Sequence, residues 1–157
     1  MNKEELLKVI LGKLKADLNQ ANEAVNMAYE SATHEENIAE SKYDTKGLEA
    51  SYLVQGQARR AEELEQEVEA FVNLKIRPVD KVMLNALVTL ENESGAQELM
   101  FIGPGSGGVK INFEDQEVVI ITPVSPLGRA LLGKICGDSI EVTIGRKEKK
   151  YRILHIL

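Results

Sequence analysis

Leu7-Lys-Val-Ile-Leu-Gly-Lys-Leu-Lys-Ala-Asp-Leu-Asn-Gln-Ala-Asn-Glu-Ala-Val-Asn-Met-Ala28 is the stretch that decides the fold. In it Leu7, Leu11, Leu14, Leu18, Ala21, Val25 and Ala28 recur at alternating steps of four and three residues, the apolar seam of a coiled coil. A second, less regular seam runs through Ala50, Val54, Gln57, Ala61, Leu64, Val68 and Phe71, with Arg59, Arg60 and the glutamates from Glu62 to Glu69 on the other faces. Pro78 ends that helix, because proline has no amide to donate and disfavours helix in the residue before it. If the two helices pack antiparallel, position 7 faces 71, 14 faces 64 and 28 faces 50. All three pairs share a midpoint at residue 39, so the chain folds back there. Alanines thin the seam toward the distal end and let the helices approach closely. A helix of about 28 residues would project about 40 Å, beyond reach of a following domain. The expectation is an antiparallel coiled-coil hairpin over residues 1–77 whose tip, near 33–46, is presented to a partner.

That tip is acidic. From Glu23 through Glu40 there are five acids and no lysine or arginine, and Asp44 follows. Like charges crowded at a turn repel by a few tenths of a kcal/mol per helical neighbour pair. One reading is a solvated acidic turn. The other is a carboxylate cluster that completes a divalent-cation site on a partner, since Mg²⁺ takes oxygen ligands and keeps positions open for water and phosphate. Spacing alone does not separate them. His34, in the same tip, reads as solvated.

The formal net charge is −6, with 10 basic against 15 acidic residues in 1–78 and 9 against 10 in 79–157. A protein that grips nucleic acid mainly through phosphates carries a basic surplus, so free DNA or RNA is a poor first guess for the main partner, and a protein partner or a metal fits better. The longest apolar runs, such as Val118–Thr122, fall far short of the roughly 20 residues of a membrane span. The N-terminus has no apolar core of a signal peptide, so a cytoplasmic protein without membrane contact is expected. A single cysteine, Cys136, excludes an internal disulfide, and the two histidines lack zinc-ligand spacing.

Past Pro78 the period changes. Residues 82–91, 96–102, 108–113, 116–122, 138–144 and 149–156 read as six short strands, enough for a strongly curved sheet or half-barrel. Between the fourth and fifth, Ser125 is an N-cap, Pro126 suits the first helical position and Gly133 a C-terminal stop, so one short helix packs on the sheet. The loop Gly103-Pro-Gly-Ser-Gly-Gly108 lacks the Lys-Ser/Thr of a phosphate-binding loop and opens a strand, so it reads as a flexible turn. Cys136 and His155, in apolar surroundings, read as core residues.

Ser125-Pro-Leu-Gly-Arg-Ala-Leu-Leu-Gly-Lys-Ile-Cys-Gly-Asp138, followed by Ser-Ile-Glu-Val, closely resembles the C-terminal signature of the Gre transcript-cleavage factors. A coiled-coil hairpin precedes that domain in the family at about this total length. The resemblance implies an α+β protein: a hairpin followed, over 78–157, by an FKBP-like β-rich domain that is no isomerase and docks on RNA polymerase through Ser125, Pro126, Leu127 and Arg129. It implies a hairpin inserted through the secondary channel, with tip carboxylates that share Mg²⁺ with the polymerase and stimulate its own cleavage of backtracked RNA. Contact with nascent RNA would be indirect, and the chain would be an accessory factor rather than an enzyme. Glu36-Asn37 matches the family's Glu-Asn pair, and Glu40 matches the following Glu after a one-residue shift. Thr33 stands where the family carries an Asp, and about four extra residues lie around Tyr43–Gly47. On this reading Glu35, Glu36 and Glu40 are the metal ligands, and Glu36, Glu40 and Asp44 the catalytic residues. The alternative is a secondary-channel regulator or inhibitor that does not cleave. A zipper-type oligomer is disfavoured by the loss of large apolar residues toward the tip, so a monomer is expected.

Overall fold

The computed structural model describes residues 1–33 and 46–157. Its elements are α1 (Lys3–Thr33), α2 (Lys46–Val72), β1 (Leu87–Asn92), β2 (Gln97–Ile102), β3 (Lys110–Phe113), β4 (Gln116–Ile121), α3 (Pro126–Leu131), β5 (Ser139–Ile144) and β6 (Lys147–Ile156). A long helical hairpin is thus followed by a six-stranded sheet with one short helix, as the sequence leads one to expect. The chain divides into two compact units, Gly12–Glu69 and the pair of segments Met1–Leu11 with Ala70–Leu157.

In the unit Gly12–Glu69, Ala21, Ala61 and Leu64 form a buried cluster against which Leu18 and Val25 pack. Leu14 and Ala28 are also buried, and Val54 and Gln57 half-buried, so the four-three spacing identifies the inner face of both helices. The outer faces carry ion pairs one turn apart, Lys13 with Asp17 and Arg59 with Glu63, each worth a few tenths of a kcal/mol.

The other unit joins both helix bases to the sheet, whose strand order is β3-β4-β2-β1-β6-β5. Only β2 and β4 pair in parallel; the remaining neighbours are antiparallel. Alternation along the strands buries both faces. On one, Val88, Leu90, Met100, Ile102, Ile121, Tyr151 and Ile153 form a core with Leu127 and Leu131 of α3. On the other, Leu87 lies opposite Phe101, and Phe101 beside Ile120. There the Phe71 ring from the end of α2 packs so near Gly103 that a Cβ on that glycine would stand 2.8 Å from Phe71 Cζ and 2.9 Å from Ile120 Cγ2. Any side chain at this position would have to displace the ring or Ile120. Leu6 and Ile10 are fully buried in the same unit, whereas Leu7 and Leu11, the seam positions expected from sequence, are half-buried. In these first turns the helix buries the face demanded by its own compact unit, and a helix of 3.6 residues per turn drifts from a strict heptad.

The first strand begins at Leu87 rather than at residue 82. Asn85, buried, takes a left-handed φ of 72° in a turn, and Lys3 Nζ donates to its Oδ1 (3.0 Å) and to the Arg77 carbonyl (2.7 Å). Val82 exchanges backbone hydrogen bonds with Lys134 and Gly133 instead of joining β1. Burial lowers the Lys3 pKa from its ordinary value, because desolvation penalises the charged form.

Candidate functional site

The residues around α3 are held by chemistry local to the segment. Ser125, extended at φ −67° and ψ 156°, caps the helix. Its Oγ accepts from the Gly128 amide (3.0 Å) and donates to the Thr122 carbonyl (2.8 Å), while its own carbonyl accepts from the Arg129 amide (2.9 Å). Pro126 fills a position where no amide partner is needed. Gly128 is fixed by close approach, since a Cβ there would lie 1.9 Å from the Thr122 carbonyl oxygen. Beyond the helix, Gly133 at φ 77° donates its amide to Val82, and Gly137 at φ 92° donates to Ile153. Asp138 Oδ2 accepts from the Ile135 amide (2.9 Å), and the Asp138 carbonyl accepts from the Ile153 amide (2.8 Å). The Ser-Pro opening and the Gly-Asp close of the motif are therefore the two ends of one clamp that starts α3 and feeds β5.

Of the four docking residues expected from sequence, Pro126 and Arg129 are exposed, Ser125 is half-buried with its hydroxyl engaged, and Leu127 gives its side chain to the core. The same segment exposes Val124 (71%), Leu132 and Ile135 (54%). Sequence reasoning passed over these three because their residue types are those of the core. Cys136 and His155, expected in the core, are exposed. Cys136 sits in the turn after α3, where its Sγ donates to the Leu154 carbonyl. His155 follows a bulge in β6, pairs with Thr89 and lines a surface groove with Thr89, Gln97 and Leu99. The loop 103–108, expected to be a flexible turn, is tied to β4: the Gly103 and Gly108 amides donate to the Ile121 and Ile120 carbonyls.

Glu35, Glu36, Glu40 and Asp44, with His34, lie outside the described residues. At the edge of that segment Thr33 is exposed, and its Oγ1 donates to the Tyr29 (3.0 Å) and Glu30 (3.4 Å) carbonyls of its own helix. Among the described residues no group of three or more His, Cys, Asp or Glu side chains could hold a metal, and no helix is long and apolar enough to cross a membrane.

The C-terminal model of the family described as transcription elongation factor GreA/GreB matches residues 77–157, the whole sheet with α3 and its clamp. The chain belongs to the GreA/GreB family. Transcription by RNA polymerase is accordingly the process in which this GreA/GreB-family protein takes part, and the polymerase is the partner its family implies. Among solved structures it is similar to GreA factor homolog 1 (Gfh1) of Thermus thermophilus, at 18% identity over 94% of each chain and a TM-score of 0.40. It is also similar to Gfh1 of Thermus aquaticus, at 21% identity over 92% of each chain and a TM-score of 0.41. A prokaryotic GreA/GreB elongation factor from Nitrosomonas europaea is similar at 20% identity over 69% of this chain and 91% of its own, with a TM-score of 0.38. No curated protein matches the sequence.

Proposed function

We propose that this chain binds RNA polymerase at the secondary channel and stimulates cleavage of backtracked RNA. The observation that carries the reading is the family match over residues 77–157, which spans the α3 clamp. In this reading the exposed side of α3, with Pro126 and Arg129, meets the polymerase, and Ser125 and Leu127 hold that side in place from beneath. The hairpin carries its tip to the polymerase active centre. Carboxylate oxygens are the hard donors that Mg²⁺ prefers, so Glu36 and Glu40, with Glu35 beside them, would hold the incoming ion, and Asp44 or Glu35 would orient the attacking water. Such an ion stabilises charge developing on the phosphoryl oxygens and helps generate the nucleophile. The polymerase supplies the remaining ligands and the RNA, so the chain acts as an accessory to the polymerase's own hydrolysis, as a monomer and without gripping the transcript itself.

Transcript cleavage on stalled complexes tests this. The protein should release short 3′ RNA fragments above the polymerase's background. Glu36→Ala and Glu40→Ala should bind polymerase normally, compete with the parent and lose roughly 10²-fold or more in cleavage, because such contacts act mainly in the transition state. Asp44→Ala should fall between. A second reading, a regulator that occupies the channel without cutting, is favoured by Thr33: a hydroxyl bonded to its own helix stands where the family carries a carboxylate. Polymerase-bound protein that releases no fragments would decide for that reading.

A further inference from the structure

The far end of the β5–β6 hairpin is a basic ribbon with no third strand. β1 pairs with β6 only from Tyr151 onward, its last partner being Asn92. Before that, Lys147 to Lys150 pair with β5 alone, through Ile144, Thr143, Val142 and Glu141. Four such pairs extend about 13 Å at roughly 3.3 Å per residue. The two strands join through Gly145 and Arg146, with Gly145 at φ 65°, the conformation that a two-residue hairpin turn takes from glycine. Val142 is the last buried side chain; from Thr143 to Lys150 every residue is exposed.

Charge is concentrated there in a chain whose net charge is −6. Residues 141–150 hold Arg146, Lys147, Lys149 and Lys150 against Glu141 and Glu148. Lys150 is matched: its Nζ lies 3.3 Å from Glu141 Oε1, and its pKa is raised by that hydrogen bond and charge, then by Glu148 and Glu93. Arg146, Lys147 and Lys149 have no ion pair among the described residues. By alternation Lys147 and Lys149 share a face with Tyr151 and Ile153, so the apolar face of β6 turns cationic where the core stops.

Lysines on sheets often serve to block edge-to-edge pairing. Over Lys147–Lys150 β6 is an open edge and its lysines serve that purpose there, but β5, open along its whole length, carries no lysine, so edge protection does not account for where the cations are gathered. We propose that this ribbon binds the phosphate backbone of duplex DNA without reading its sequence. A two-stranded ribbon is one of the shapes the major groove admits, and three unmatched cations are suited to phosphates. A protein partner is less well matched: interface cores are depleted in lysine and enriched in aromatic residues, and the ribbon's one large apolar side chain is Ile144, 39% exposed. Single-stranded nucleic acid is less well matched too, because it is held by stacking on aromatic rings and Tyr151 is buried in the core.

The test is fluorescence anisotropy of a labelled duplex of about 20 base pairs, titrated with the full chain at low salt in the absence of polymerase. It is independent of the cleavage reading, whose assay needs the tip. Three phosphate contacts give a slope of log affinity on log salt near −2.7, hence about fortyfold weaker binding at 100 mM than at 25 mM salt. Lys147→Gln/Lys149→Gln should reduce the slope to near −1, and Lys147→Glu/Lys149→Glu should abolish binding, both with an unchanged thermal midpoint. Lys15→Glu, on an exposed position of α1, should leave it intact. Failure of the parent chain to bind duplex at 25 mM salt, or equal binding by the doubly substituted chains, would overturn the proposal. Loss of affinity for nucleic-acid-free polymerase in those chains, without duplex binding by the parent, would assign the ribbon to an acidic protein surface instead.

Discussion

At the scale of the residue, two glycines show how a motif can be written by sterics before any function acts on it. The backbone at Gly128 runs against the Thr122 carbonyl at a separation that no Cβ tolerates, and the obstacle is main chain rather than a side chain that could turn away. Gly128→Ala should therefore destabilise the β-rich unit by about 1–3 kcal/mol or more, through overpacking and loss of the cap geometry. Thermal unfolding followed by near-UV circular dichroism checks this, and a midpoint within error of the parent would refute it. Ser125→Ala removes a bond to the Gly128 amide and should cost less, about 1 kcal/mol. At Gly103 the obstacles are the Phe71 ring and Ile120, side chains that can shift a little, so Gly103→Ala should fall between the two.

At the scale of the element, each helix has a buried stripe set by its period and an exposed remainder. In the hairpin, Ala21 and Ala61 belong to one buried cluster. Cysteines at these two positions, in a chain with Cys136 replaced, should be bridged within one molecule by a short bifunctional maleimide. Products that are exclusively dimers would mean that the helices pair between chains. In α3 the stripe is Leu127 and Leu131, and the outer surface is Pro126 and Arg129. Pro126→Glu leaves the core untouched, so it should weaken pull-down with RNA polymerase by tenfold or more while the thermal midpoint stays within a few degrees. Retention of full binding by that folded variant would remove α3 from the docking surface.

At the scale of the whole molecule, the compact unit that contains the sheet also contains Met1–Leu11 and the end of α2. Phe71, Leu6 and Ile10 are fully buried in it, and burying such side chains stabilises by about 1.5–3 kcal/mol each. A chain starting at residue 78 should thus lose a large part of its stability and expose the Leu87–Phe101–Ile120 face, binding a hydrophobic dye. A chain in which Gly12–Glu69 is replaced by a short Gly-Ser linker should keep one cooperative transition. If the two chains melt alike, the helix bases contribute nothing to the sheet.

The sequence alone determined what depends on near neighbours along the chain. The helices follow from an apolar period of three and four, the strands of the second half from a period of two, and the α3 clamp from serine, proline and glycine at fixed offsets. The same local pattern carried the GreA/GreB resemblance, and the family match over 77–157 agrees with it. Tertiary structure decided what depends on residues far apart. It buried Leu6 and Ile10 in place of Leu7 and Leu11, and turned residues 82–86 away from β1 around the left-handed Asn85. It paired β2 in parallel with β4 and put Cys136 and His155 at the surface. It also left Lys147 and Lys149 on a ribbon that leaves the core at Val142, the partner of Lys149. None of these is encoded by a residue's own type, because burial is set by which distant surface a side chain meets. Glu35, Glu36, Glu40 and Asp44 are legible in sequence as acids, because a carboxylate is a property of the residue itself, whereas a Mg²⁺ site is a property of six oxygens brought together in space.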